Sequence, residues 1–215
     1  MIGLFNERRS SDREAGGERV SRTDICDKLV HFTKGATDEE AFLHLQSMID
    51  ENHILGHNNK IKAGCLCVCF SEAPLKAVTG GLRNPSGYTV YSQFGIMFDK
   101  KWVFAQGGRP VIYEPDAEYG PLPEPYRWRH VRYEPARAQP IDFTWEREWR
   151  LPGVELQFGP KDAAIIVPSR EWADRFVREH QSTLIEQYSD LLDDEYAGEY
   201  YGLSAFPWRI AALNE

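Results

Sequence analysis

The sequence predicts an α+β fold, and three observations carry that expectation. Helical periodicity is confined to the flanks, after Thr37 and again over 169–196. Short apolar runs of strand length fill the interval between them. Helices and strands do not alternate as in a doubly wound sheet, and neither common glycine-rich phosphate loop is present.

Taken in order, residues 1–24 read as a polar arm and 25–215 as a single domain closed by a C-terminal helix. The stretch 7–24 is too polar and charged to bury a core of its own. Leu29 to Thr33 is a short strand ended by Lys34-Gly35. Thr37 and Glu40 form a capping box for a helix that carries Phe42, Leu45 and Ile49 on one face, with Asp38 and Glu39 favouring its N-terminal dipole. Gly56 is expected to end it. Cys65 to Phe70 is continuously apolar, as a central strand should be. Ser71-Glu72-Ala73-Pro74 turns the chain into a short helix ending near Gly80-Gly81.

Tyr88 to Phe98 reads as the next strand and Asp99-Lys100-Lys101 as a turn, with Trp102 to Ala105 continuing in extended form. Gly107-Gly108 then makes a hairpin turn before Pro110 to Tyr113. Four prolines mark 114–126 as a loop. Trp145 to Leu151 and Ala163 to Val167 are two more strands. Ser169 is placed to cap a last helix, with Trp172, Phe176, Leu184, Tyr188 and Leu191 at helical offsets.

Composition narrows the function classes. The 215 residues suit one domain with a real core, and 42% hydrophobic with 27% charged residues is the balance of a soluble globular chain. A net charge of −8 argues against wholesale nucleic-acid binding but leaves room for a local basic patch. No run is long and apolar enough to span a bilayer, and Met1 to Phe5 is too short for a signal-peptide core, so no membrane association is expected. A cytoplasmic setting with four reduced cysteines follows.

The most informative run is Trp145-Glu146-Arg147-Glu148-Trp149-Arg150. On a strand, Glu146, Glu148 and Arg150 share one face, while Trp145, Arg147 and Trp149 anchor the other. Two like charges on one face need a use or a compensating cation. On spacing alone, a salt-bridged strand edge is the simpler reading.

His31-Phe32-Thr33 offers an imidazole and a hydroxyl that could hold a sugar or amide, against the plainer alternative of a core histidine. Cys65, Cys67 and Cys69 alternate along one strand face. With His53 and His57 they raise zinc as a possibility, but structural zinc sites take wider Cys spacing, so no metal is expected. Arg127-Trp128-Arg129-His130-Val131-Arg132-Tyr133 interleaves cations and rings as nucleic-acid surfaces do, or as an ordinary exposed strand does.

The order His31–Thr33, Cys69–Leu75, Tyr91–Phe98 and Glu146–Arg150 resembles the AbiGi-type abortive phage resistance proteins. These are similar to the ADP-ribosyltransferase superfamily, which includes the DarT toxins. The resemblance covers roughly residues 28–170. It implies a split, mostly antiparallel sheet with flanking helices and a cleft for NAD, which is a substrate rather than a resident cofactor. It implies Glu148 as the catalytic carboxylate and Glu146 beside the incoming nucleophile. His31 with Phe32 and Thr33 would contact a ribose. Ser71 or Tyr91 would line the nicotinamide pocket, and Tyr91 or Phe94 would stack on the ring. The acceptor would be a macromolecule, nucleic acid through Arg127, Arg129 and Arg132 or else protein, in a toxin or anti-phage effector with an antitoxin or regulator as partner. The alternative is a relative that has lost catalysis and binds a protein or nucleotide in the same cleft.

Overall fold

A computed structural model describes residues 26–72, 91–193, 196 and 206–214. The N-terminal arm, the short helix expected after Ser71 and the start of the strand expected from Tyr88 lie outside the described residues.

The molecule is α+β, with a mixed but mostly antiparallel sheet. In chain order the strands are β1 (Lys28–Phe32), β2 (His53–Leu55), β3 (Cys67–Ser71), β4 (Gly95–Asp99), β5 (Arg109–Pro110), β6 (Ile112–Glu114), β7 (His130–Arg132), β8 (Glu148–Pro152), β9 (Glu155–Gln157), β10 (Ala163–Val167) and β11 (Arg209–Ala212). The helices are α1 (Asp38–Asp50), α2 (Lys100–Ala105) and α3 (Arg170–Leu192). Seven strands form the main sheet in the order β11-β10-β4-β1-β3-β8-β5, antiparallel except for the β10–β11 pair. Two small sheets, antiparallel β2–β9 and parallel β6–β7, flank it.

The three helices of the described residues pack on one face of this sheet. Phe42, Leu45 and Ile49 of α1, Val103 of α2 and Phe176 of α3 are sealed against Leu29, Phe70, Ile96, Phe98, Trp149 and Ile165. Each such side chain contributes about 1.5–3 kcal/mol by leaving water. The opposite face carries a small cluster of Val30, Phe32 and Ile166, with Tyr91, Met97 and Leu213 packed on it.

The capping box forms. Thr37 Oγ1 accepts from Glu40 N at 3.2 Å, and the Glu40 carboxylate accepts from Ala36 N at 2.7 Å. The helix ends sooner than expected, because Asn52 takes a left-handed φ of 55° and starts β2 at His53. Gly56 serves a different purpose. Its N–H donates to Val154 at 2.7 Å, and a Cβ there would collide with the Gly153 carbonyl.

The run Trp102 to Ala105 is helical, not extended. Asp99 Oδ1 accepts from Lys101 N at 2.8 Å and nucleates α2 in place of a turn. Trp102 then stacks on Phe98, and Val103 is buried. Gly107 and Gly108 close this helix rather than make a hairpin, with Gly107 at a φ of 103°.

The last helix runs to Leu192 from an N-cap position at Ser169, although the Ser169 side chain makes no capping bond. Between β6 and β7 the proline-rich segment folds into 3-10 turns at Asp116–Glu118 and Glu124–Arg129.

The β1–β3 seam is the irregular part of the sheet. The two strands share one register pair, Val30 with Ser71. Past that pair the Cys69 carbonyl meets the His31 side chain instead, with Nδ1 at 2.8 Å. β1 stays bound to β4 over five register pairs.

Candidate functional site

β8 starts at Glu148, three residues into the Trp-Glu-Arg-Glu-Trp-Arg run that the sequence reads as one strand. Thr144–Glu146 is a 3-10 turn, and Arg147 follows at a φ of 46°. A left-handed arginine is uncommon and is a place where local strain is held. It breaks the period-2 alternation at the point where the sequence places both glutamates on one strand. Both still arrive at the same site, one from the turn and one from the strand. Ser71 Oγ fastens the turn by donating to the Glu146 carbonyl at 2.8 Å. Glu72 N donates to the Arg147 carbonyl at 3.2 Å.

Glu148 opens β8 opposite Ser71, with Arg150 opposite Cys69. Arg150 is 4% exposed and grips Glu148 with two donors, Nε to Oε1 at 2.7 Å and Nη2 to Oε2 at 3.3 Å. Its Nη1 donates to the carbonyls of Trp128 at 2.7 Å and His130 at 3.1 Å. The guanidinium therefore fixes the carboxylate and ties β8 to the segment before β7. Tyr113 supports the strand from the other side, its hydroxyl oxygen accepting from Glu148 N at 3.0 Å.

Glu146 sits in the opposite environment. It is 9% exposed, and its carboxyl is pushed up to about 7 by burial and by the nearby Glu148 charge. A hydrogen bond from Tyr91 opposes the shift, as do the more distant charges of Lys34 and Lys60. Tyr91 in turn is held far above the usual phenol range by burial and by the two carboxylates, so it stays a donor. Its ring lies 5.4 Å from Phe32 and 6.0 Å from Trp145, centre to centre.

Trp145 is thus on the site side and not an anchor on the opposite face. Its indole N–H is buried without an acceptor among the described residues, which costs about 1–3 kcal/mol unless a ligand supplies one. Trp149 does anchor the core face, and its Nε1 donates to Glu72 at 2.7 Å.

Cys69 is the residue around which the sequence-predicted positions meet. Its carbonyl faces His31, and its thiol lies against Glu148. Burial, followed by the Glu148 charge, pushes that thiol well up, so it remains protonated. His31 itself is lowered to about 4, chiefly by removal from water and against the pull of the Cys69 carbonyl. It is therefore neutral at pH 7. A carbonyl only accepts, so Nδ1 carries the proton and Nε2 is left as an acceptor. Its ring makes an edge contact with Phe70 at 6.2 Å.

Two of the residues expected to bind ligand are committed elsewhere. Phe94 is fully buried in the helix-side core, between Phe42 and Trp172, and has no face for a nicotinamide. Thr33 is 1% exposed, and its hydroxyl is engaged with Ser92 at 3.1 Å and the Phe94 carbonyl at 3.3 Å. Phe32 packs against Tyr91 with the two rings tilted 47° to each other, but is itself buried.

The three arginines each have partners within the chain. Arg127 donates to the Leu122 and Gly120 carbonyls, and Arg132 is paired with Glu134 at 2.7 Å. Arg129 donates to the Pro110 carbonyl at 2.8 Å.

The thiol row holds in part: the Cys65 and Cys67 sulfurs are 3.8 Å apart, and the Cys67 thiol is pushed up to about 12 by burial and by Cys65. Among the described residues no three His, Cys, Asp or Glu side chains gather as a metal cluster. No helix is long and apolar enough to cross a membrane among those residues.

Sequence reasoning passed over Tyr113 and Trp145 as site residues and raised Cys69 only with Cys65 and Cys67 as a zinc candidate. Alternation from Ser71 would have found Cys69. Nothing local marks Tyr113, which lies on β6 and reaches Glu148 N with its hydroxyl.

No protein-family model, curated protein or solved structure matches this chain.

Proposed function

We propose that this chain is an NAD-dependent ADP-ribosyltransferase acting on a macromolecular acceptor, with Glu148 and Glu146 as its working carboxylates. One observation carries the reading. Two glutamates two residues apart sit in unlike surroundings: Glu148 is gripped by Arg150, while Glu146 is buried without an ion-pair partner among the described residues and its carboxyl is pushed up to about 7. Carboxylates whose environments drive them apart are suited to two different tasks.

The chemistry divides between them. Cleavage of the nicotinamide–ribose bond sends the bonding pair to the departing nicotinamide and leaves positive charge on the ribose. The Glu148 carboxylate stabilises that charge more in the transition state than before it. The acceptor then forms a bond to C1′, and its proton passes to Glu146. Tyr91 and the unpaired N–H of Trp145 offer a donor-bearing aromatic wall for the nicotinamide amide. His31 Nε2 is free to accept a ribose hydroxyl. The toxin or anti-phage role rests on the sequence resemblance.

A second reading, a binding module without catalysis, is favoured by one fact: Arg150 occupies both Glu148 oxygens. Nicotinamide release from NAD in the presence of a cell lysate separates the two. The transferase reading expects Glu148→Gln to lower release roughly a hundredfold or more. It expects Glu146→Gln to depress transfer to acceptor more than cleavage. Release by the unaltered protein no greater than that of a folded Glu148→Gln variant sinks it.

A further inference from the structure

Arg109 and Arg129 form a second constellation, on the outer side of β5. Arg109 is the cross-strand partner of Arg150. Its Nη1 donates to the Phe104 carbonyl at 2.8 Å and the Gly108 carbonyl at 2.7 Å, at the C-terminal end of α2. Its guanidinium carbon lies 3.8 Å from the Phe104 ring centre. Arg129 comes from the turn before β7, and its Nε is held by the carbonyl of Pro110, the residue next to Arg109. The two cations are near enough that Arg109, after burial itself, lowers the proton affinity of Arg129.

No carboxylate among the described residues pairs with either one, whereas Arg132, Arg137, Arg150 and Arg175 all have acidic partners. In a chain with eight excess negative charges, two neighbouring arginines without an acidic partner make a local positive spot. Nε and Nη2 of Arg109, and both Nη of Arg129, have no partner among those residues. Two planar forks with spare donors match the oxygens of one phosphate. Phe104, with Arg109 over one face of its ring, is 50% exposed, and Tyr126, close enough to act electrostatically on Arg129, is 49% exposed. Exposed rings next to a phosphate-sized anion site suit a base attached to that phosphate.

We propose that Arg109 and Arg129 bind the phosphate of a nucleotide, with Phe104 and Tyr126 as stacking surfaces for its base. This site does not depend on the carboxylate chemistry and binds whether or not the protein turns over NAD. It replaces the Arg127, Arg129 and Arg132 patch with a different set, of which Arg129 alone is common to both.

The test is fluorescence anisotropy of the full chain with a labelled oligothymidylate, with AMP and inorganic phosphate as competitors. Arg109→Ala and Arg129→Ala should each weaken binding about tenfold, the loss of one charge-assisted contact. Arg129→Lys should recover only part, and Arg132→Ala should leave affinity unchanged. AMP competing as well as the oligonucleotide identifies a free nucleotide as the occupant. A much tighter oligonucleotide identifies a polynucleotide strand.

Failure of every probe to bind the unaltered protein overturns the proposal. So does equal weakening by Arg132→Ala and Arg129→Ala. Inorganic phosphate competing as well as AMP overturns the part given to the rings.

Discussion

Glu146→Gln tests the burial of this carboxylate without reference to any substrate. The group has an ordinary value of 4.5 in the unfolded chain and about 7 in the folded one. Because the folded value is the higher, the folded state holds the extra proton between those limits. The contribution of this group to stability is therefore greatest below about pH 4.5, falls as pH rises through this window, and is level above about 7. Two and a half pH units at 1.36 kcal/mol each give a loss of about 3 kcal/mol.

The charges facing the group are Glu148, Lys34 and Lys60, with the Tyr91 hydroxyl as its hydrogen-bond donor. None is removed by the substitution. Urea denaturation of both proteins from pH 4.5 to 7.5 should show the parent losing about 3 kcal/mol relative to the glutamine variant. A difference that stays constant across that range refutes the argument, since glutamine would then be replacing a carboxylate that titrates normally.

Two further substitutions probe the same site. Arg150→Met removes a nearly buried cation and leaves Glu148 without its clamp; about 3–5 kcal/mol of stability should be lost, and the double variant with Glu148→Gln should regain part of it, read by thermal melts. Recovery failing in the double variant would show that packing, not the charge pair, sets the cost. Tyr91→Phe keeps the ring against Phe32 and Trp145 but deletes the donor that holds Glu146 down, so the Glu146 titration followed by carboxyl NMR should move further up, and a downward move would contradict the assigned hydrogen bond.

Much of the fold was legible because local signals agreed with packing. The Thr37–Glu40 box, the Phe42, Leu45, Ile49 stripe and the Ala163 to Val167 run all became the elements their patterns indicate. The failures share a cause. Trp102 to Ala105 is four residues long, too short for period 2 to be told from period 3.6, and the Asp99 cap decided it. Arg147 is the other case. Nothing in its own chemistry announces a left-handed backbone, so the alternation drawn through it misplaced Trp145.

At the site, Glu146, Glu148 and Tyr91 do come together: β8 sets Glu148 opposite Ser71, Ser71 holds the turn that carries Glu146, and Tyr91 hydrogen-bonds Glu146. Phe94 and Thr33 went to the core because the motif around them also builds β4 and its entry turn. A motif read along the chain cannot say which of its residues the sheet consumes.

The single register pair between β1 and β3 has a mechanical meaning. It divides the main sheet into two leaves, β11-β10-β4-β1 and β3-β8-β5, hinged at Val30 and Ser71. Glu148 and Arg150 ride on one leaf, while His31 and Phe32 ride on the other. A ligand touching both would act as a brace across the hinge, so its binding energy would appear as resistance to unfolding.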